Sequence, residues 1–276
     1  MTNKIWLITG ASRGFGRIWA EAALQRGDQV AVTARDVTSI ADFKTRFGEA
    51  VLPLALDVTD AEQVKQAVGQ AHAHFGRLDV VLNNAGYSLV GMTEEASEAD
   101  VRAMFDANYF GTLRVIQAAL PLLRQQGSGH IVGVSSTLGH VATPLIGFYC
   151  ASKWAFEALH ESLAQEVKSF GIKVTLIEPG AYATSFGSPE SLKIAPGMDT
   201  YDELRQQVFA GMASLDRGDP QATPEAVFRI VDAQTPPLRL ILGNAGLPMI
   251  RAVYEDRLAT WEEWEAVSNA AQGDLR

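Results

Sequence analysis

A chain of 276 residues, 47% hydrophobic and 20% charged, can bury a sizeable core and fits one large α/β domain as well as two small ones. Its formal charge of −9 argues against a nucleic-acid surface, and no apolar run reaches the roughly 18 residues that a membrane span needs. One cysteine rules out an internal disulfide framework. With a strand-like run at Ile5–Ile8 leaving no room for a signal peptide, these features predict a cytoplasmic protein.

Short apolar runs alternate with longer segments of helical period. The expected strands are Lys4–Thr9, Gln29–Ala34, Val51–Leu56, Val80–Asn83, His130–Ser135, Val174–Glu178 and Leu238–Leu242. They are almost continuously apolar and rich in Val, Ile and Leu, as parallel strands covered on both faces require. Helix signals fall between them. Arg17–Arg26 ends at Gly27, Thr59-Asp60-Ala61-Glu62 reads as a capping box, and Ser97 opens a long helix reaching Pro121 or slightly beyond. Thr223-Pro224 places an N-cap residue before proline at the first helical position. This alternation predicts a doubly wound parallel sheet, a Rossmann-type α/β fold with right-handed crossovers.

Residues 185–222 break the pattern: Phe186, Met198, Tyr201, Phe209 and Met212 lie among turn residues. An apolar, loop-rich insertion after the sixth strand is expected to be a substrate lid at the carboxyl ends of the strands. Residues 247–276 read as a C-terminal helical extension with an amphipathic face, expected to cap the substrate cleft or join a subunit interface.

The first strand leads into Thr9-Gly10-Ala11-Ser12-Arg13-Gly14-Phe15-Gly16. Glycines between a strand and a helix let backbone approach a pyrophosphate at the positive helix N-terminus. Gly10, Ser12, Arg13, Gly14, Phe15 and Gly16 are therefore the expected phosphate cradle. The second strand ends Ala34-Arg35, with no carboxylate to grip ribose hydroxyls or repel a 2′-phosphate. Arg35 and Arg13 instead offer two guanidinium groups, which predicts NADP over NAD. Asp36 stands one residue late to replace the missing acid.

Tyr149 and Lys153 are spaced i,i+4 and share a helix face. A free phenol has a pKa of about 10; lowering it by roughly three units takes about 4 kcal/mol, which a close cation can supply. Ser136 stands thirteen positions before Tyr149, where its hydroxyl could bond the oxygen that exchanges the proton.

Together these motifs resemble the short-chain dehydrogenase/reductase family, in its single-domain branch, over about residues 4 to 246. The resemblance implies one NAD(P)-binding domain spanning residues 1–276, with about seven strands in the order 3-2-1-4-5-6-7. It implies that Asn108, Ser136, Tyr149 and Lys153 form a catalytic tetrad. Tyr149 would exchange a proton with the substrate oxygen, Ser136 would polarise that oxygen, and Lys153 would lower the phenol pKa and bond the nicotinamide ribose. Asn108 would hold a water linking the lysine to solvent. Asp57 and Val58 match the adenine contact, Asn84, Ala85 and Gly86 line the cofactor channel, and Pro179, Gly180 and Thr184 match the nicotinamide segment. Ser135 is read as facing the other side of the strand.

The expected activity is NADP(H)-dependent interconversion of a hydrophobic ketone or aldehyde with its alcohol, since Leu138–Phe148 and the expected lid are apolar. The resemblance also implies a homodimer or homotetramer. A dinucleotide-sensing regulator or scaffold without turnover is the alternative, against which the complete tetrad argues; a lyase, epimerase or dehydratase would need a further carboxylate. His72 and His74 lack metal-ligand surroundings. His140 lies between Ser136 and Tyr149, either bordering substrate or without a role, and Cys150 reads as a small buried thiol.

Overall fold

A computed structural model of the chain describes residues 3–189 and 191–273. The expected domain, lid and C-terminal extension therefore extend, at residues 1, 2, 190 and 274–276, outside the described residues.

The chain begins β1 (Ile5–Ile8), α1 (Gly14–Gln25), β2 (Gln29–Ala34), α2 (Ala41–Phe47), β3 (Val51–Ala55), α3 (Ala61–Phe75) and β4 (Val80–Asn83). It continues through β5 (Ser88–Val90), α4 (Glu98–Phe105), α5 (Gly111–Gln126), β6 (Gly129–Val134), α6 (Gly147–Val167) and β7 (Ile172–Pro179). Then follow β8 (Leu192–Ile194), α7 (Asp202–Ala213), α8 (Pro224–Asp232), β9 (Arg239–Leu242), α9 (Gly246–Glu263) and α10 (Glu265–Ala270). Seven strands form one parallel sheet in the order β3-β2-β1-β4-β6-β7-β9, the order that the resemblance implied. One hydrophobic core covers each face: Trp6, Ile8, Trp19 and Phe43 lie in one, and Leu7, Val81, Ile116 and Leu163 in the other. Alternating residues of β1 thus feed opposite cores, which is why its run is apolar throughout.

Several boundaries differ from expectation for local reasons. Helix α1 begins at Gly14, not Arg17, because the glycine loop itself turns into the first helical turn. Helix α3 is capped by Asp60, whose carboxylate accepts from the N–H groups of Glu62 and Gln63 at 2.9 and 3.0 Å. Thr59 instead donates its hydroxyl to Asp57 at 2.8 Å, so the expected capping box does not form. Thr223 does not cap α8; its hydroxyl donates to the Pro220 carbonyl at 2.7 Å and accepts from the Trp19 indole at 2.7 Å. The long helix after Ser97 is present, α4 and α5 running on without a break in helical backbone to Gln126, slightly beyond Pro121. Between them Asp106–Phe110 widens into a π-turn, with Gly111 N–H bonded to the Asp106 carbonyl five residues back. Pro121 lies inside α5 and does not end it. A lost backbone bond costs about 3 kcal/mol in an isolated helix, but buried Ala119 and Leu123 hold this one against the sheet.

Strands β5 and β8 form a separate parallel pair that the chain pattern does not reveal. At three residues each they are too short to show a period. They tie the segment after β7 to the segment after β4, above the carboxyl ends of the central strands.

Candidate active site

The glycine loop is shaped for close approach. Gly10 and Gly14 adopt φ of +69° and +56°, a left-handed region that costs other residues strain. A Cβ on Gly16 would stand 2.5 Å from both the Gly10 carbonyl and the Asn84 amide nitrogen. Asn84 donates to the Thr9 and Gly10 carbonyls at 3.0 Å each, and the Thr9 hydroxyl accepts from Asn84 N–H and Ala85 N–H at 3.0 and 3.1 Å. The β4 tip thus braces the loop. Thr9 is a bracing residue that pattern reading missed, since a threonine at a strand end carries no signal of its own.

No side chain caps the N-terminus of α1, and no acidic residue lies in its first turn. Those first-turn N–H groups and their dipole suit a phosphate, so the loop fits the pyrophosphate of a dinucleotide. Phe15 takes part only through its backbone: its ring stacks on Trp19 at 4.9 Å and meets Tyr182 edge-on at 5.3 Å. Ser12 lies in the same loop, half-buried.

At the tip of β2, Arg35 is exposed. Asp36 is turned into its own loop, accepting from the Thr38 N–H and hydroxyl at 2.9 and 2.7 Å; these bonds hold its carboxyl below the usual range. These are the hydrogen bonds of a turn residue. Arg13 donates Nε–H to the Ser191 hydroxyl at 3.0 Å, tying the glycine loop to the segment after β7. Asp57 is likewise engaged, accepting from Thr59 N–H at 2.9 Å, while Val58 packs on α5 so tightly that a Cβ on Gly111 would meet it at 2.7 Å.

Ser136, Tyr149 and Lys153 converge at the carboxyl end of β6, all buried. The Ser136 hydroxyl accepts from Leu138 N–H at 3.2 Å and donates to the Pro179 carbonyl at 3.4 Å. Ser135 faces the opposite way, beside Glu157. The Lys153 ammonium donates to the Val134 carbonyl at 2.8 Å and lies 5.7 Å from the centre of the Tyr149 ring. The expectation that Lys153 lowers the phenol pKa is not met. Burial raises Tyr149, with hydrogen bonding to Ser136 opposing only part of the rise. Burial also lowers Lys153 to about 8, although Glu157 pulls the other way. Desolvation disfavours both charged forms and is the largest influence on each.

Asn108 sits in the π-turn. Its amide accepts from Tyr87 N–H at 3.0 Å and donates to the Tyr87 carbonyl at 2.9 Å and the Ser152 hydroxyl at 3.1 Å. Ser152 in turn donates to the Tyr149 carbonyl at 2.8 Å. The side chain is therefore a brace between the β4 end and α6. Gly86 makes room for it, since a Cβ there would stand 2.9 Å from the Asn108 oxygen. Pro179 ends β7, Gly180 N–H bonds the Leu242 carbonyl at 3.1 Å, and the Thr184 hydroxyl accepts from Phe186 N–H at 3.3 Å. Gly14 lies against Thr184 and Ser185, so the glycine loop and the segment after β7 face one another.

Around Tyr149 the walls are apolar: Leu89, Met92, Leu145 and Ile146 are buried with it, and Leu138, Tyr201, Val208 and Met212 pack on this cluster. The Phe186 ring lies 5.6 Å from the Tyr149 ring. The segment after β7 is fastened by ion pairs of Lys193 with Asp100 and of Arg205 with Glu95 and Asp202. Tyr201 adds a 2.6 Å bond to Glu94. Cys150 is buried, which pushes its thiol up.

Behind Ser136 stands a cluster that spacing does not reveal: His140, Glu157 and Glu178 bring ligand-type atoms within 4.8 Å of one another. The Arg239 guanidinium lies among them, 2.9 Å from Glu157 and 3.4 Å from Glu178, and supplies positive charge there. Four separate elements contribute these residues, so only folding assembles them.

Among known proteins, the short chain dehydrogenase family profile matches residues 4–195. The oxidoreductase BOA17 of Botryotinia fuckeliana is 40% identical over 98% of this chain and 99% of its own length. A 3-ketodihydrosphingosine reductase of Bacteroides thetaiotaomicron is 33% identical over 92% of this chain and 91% of its own. A short-chain dehydrogenase structure from Streptomyces avermitilis superposes with a TM-score of 0.90 at 37% identity, covering 98% of both chains. A Burkholderia cenocepacia short chain dehydrogenase in complex with NADP has a TM-score of 0.76 at 25% identity over 95% and 97%. A Burkholderia phymatum homologue in complex with NAD shares the fold, at a TM-score of 0.83 and 24% identity over 94% and 95%.

Proposed function

The chain belongs to the short chain dehydrogenase family of oxidoreductases, and from that premise we propose that it reduces a hydrophobic ketone or aldehyde with NADPH, Tyr149 donating the proton. The observation that carries this reading is the buried meeting of Tyr149 and Ser136 inside an apolar wall. Burial raises the pKa of this phenol, so it keeps its proton near neutral pH and yields it only to a stronger base, which the alkoxide developing on the substrate is. Ser136, held by Leu138 N–H and the Pro179 carbonyl, orients the substrate oxygen toward that donor. Lys153, at about 8, sits close enough to neutrality to pass a proton on while bonding the cofactor ribose. Asn108 keeps α6 and the β4 end in register through Ser152 and Tyr87.

A bound nicotinamide supplies the hydride. Gly10, Ser12, Gly14, Phe15 and Gly16 would hold its pyrophosphate, Arg35 a 2′-phosphate, Asp57 and Val58 the adenine, and Pro179, Gly180 and Thr184 the carboxamide. Asn84, Ala85 and Gly86 shape the channel. Residues 185–222 act as a lid, closed by its pairing to β5 and its ion pairs. The apolar walls support a bulky hydrophobic substrate, as does the likeness to a reductase named for a sphingoid ketone. The family's oligomers support pairing through α5 and α6, where Phe110 and Trp154 are exposed. Among the described residues no helix is long and apolar enough to cross a membrane.

The test is NADPH oxidation with a panel of hydrophobic ketones, comparing wild type with Tyr149→Phe. We expect the variant to lose about a thousandfold in kcat, within the roughly hundredfold to ten-thousandfold that general acid catalysis is usually worth. Robust turnover by the variant would refute the assignment.

A further inference from the structure

His140 has no part in the chemistry described above, yet it closes a ring around Ser136. Ser136 begins the turn Thr137–Gly139, and His140 ends it. His140 Nε2 stands 3.0 Å from Glu178 Oε1. Glu178 directly precedes Pro179, whose carbonyl accepts the Ser136 hydroxyl at 3.4 Å. From Ser136 along the turn to His140, across to Glu178 and back through Pro179, two non-covalent contacts close the loop.

The charges explain why an imidazolium belongs there. Glu178 is fully buried, and neither of its oxygens has a well-formed hydrogen bond among the described residues; Oε1 has only its ion pairs with His140 and Arg239. A buried carboxylate costs several kcal/mol unless a cation lies beside it. Arg239 cannot serve Glu178 alone, because the same guanidinium also pairs with Glu157 and Glu161. Three carboxylates thus share one guanidinium; Lys153 acts on Glu157 as well, and His140 is the cation that stands beside Glu178 at 3.0 Å. The backbone of His140 is held as well: Arg257 of α9 donates to its carbonyl at 2.9 Å, and Tyr254 Oη lies 3.4 Å from its Nδ1.

We propose that His140 is a positioning residue for the reduction, its imidazolium clamping the Ser136 turn to Glu178 at the end of β7 and docking α9 on the same turn. The proposal rests on reading Ser136 as the group that orients the substrate oxygen. It also gives the C-terminal extension a task, since Tyr254 and Arg257 bear on the turn from outside. The groups facing His140 are Glu178 from β7, Glu157 from α6, Arg239 from β9, and Tyr254 and Arg257 from α9. Hydrogen bonding to Glu178 is the largest influence on the imidazole and raises its pKa, against opposition from burial. The clamp is therefore charged at low pH and weakens as pH rises through that raised value.

Two measurements test it. In the first, kcat of wild type and His140→Gln is compared from pH 6 to pH 9 with a ketone that the wild type reduces. The glutamine keeps a donor but no charge. We expect the variant to be about tenfold slower at pH 6, the worth of one charge-assisted hydrogen bond, with cofactor KM unchanged and the gap closing to within about twofold by pH 9. A ratio that stays constant across pH would reduce His140 to a structural residue and overturn the proposal. The second is a titration of the His140 ring signals by NMR in the wild type and in Glu178→Gln. A wild-type midpoint above 6.5 that drops in the variant supports the clamp; a midpoint at or below 6.5, or one insensitive to Glu178, overturns it. Tyr149→Phe, run beside these, separates the two readings: full activity there refutes the assigned site, whereas the NMR midpoint judges the clamp without any turnover.

Discussion

Arg35 stands exposed at the end of β2, after Ala34 and before an Asp36 whose carboxylate is spent on Thr38. On the proposed reading the exposed guanidinium would take a 2′-phosphate. Arg35→Ala is expected to raise the KM for NADPH by about tenfold or more while changing that for NADH less than about twofold. Equal losses for both cofactors would refute the assignment. Individual residues were the most legible part of the chain. Gly10, Gly14 and Gly16 betray themselves because only glycine fits where backbone must approach backbone or turn left-handed. Protonation was not legible. The i,i+4 spacing put Lys153 on the face of Tyr149, but burial, which depends on every neighbour, raised the phenol and lowered the amine.

Elements were legible where a period had room to show itself. All seven strands of the large sheet were foreseen with small shifts at their ends, since each is a dense apolar run between helical segments. The π-turn at Asp106–Phe110 and the β5–β8 pair were not. The former depends on Asn108 reaching the Tyr87 backbone, the latter on two segments about a hundred residues apart in sequence meeting. The segment proposed as a lid shows the same dependence. It is held by Arg205, which pairs with a Glu95 carboxylate that is only 1% exposed and that also accepts from Met198 N–H at 2.8 Å. Arg205→Ala should loosen this closure. Steady-state kinetics should then show the ketone KM rising about fivefold with cofactor KM unchanged, as removal of a contact made only with the lid closed predicts. Unaltered ketone KM would show that residues 185–222 do not close over the substrate.

At the scale of the whole molecule, two histidines buried in the sheet and helix packing set the acid limit of stability. Burial lowers His130 from 6.5 to about 3 and His160 from 6.5 to about 4. The unfolded chain binds protons at these positions from about pH 6.5 downward and the folded one does not, so stability falls as pH drops through that interval. At about 1.4 kcal/mol per pH unit for each group, the loss between pH 7 and pH 4 is on the order of 5 kcal/mol, a large part of a typical domain's stability. His140 works in the opposite sense: its raised pKa adds stability below 6.5 that is lost as pH rises through the folded value. Urea unfolding at pH 7, 5 and 4 checks the balance, and equal midpoints at pH 7 and pH 4 would contradict it. His160→Gln, which cannot titrate, should lose less stability over the same range than wild type.

By itself the sequence determined what depends on short stretches of chain: the strand–helix alternation that leads to a doubly wound sheet, the glycine loop, and the Tyr149–Lys153 pair. Those features follow from local sterics, hydrophobic period and helix geometry, which a few neighbouring residues suffice to define. Only the tertiary structure decided how the groups are charged and held. It made Asn108 a brace, fastened the segment after β7 to Glu95, and gathered His140, Glu157, Glu178 and Arg239 from four distant segments behind Ser136. Desolvation and pairing of charge act through space, and proximity in space is what folding alone creates.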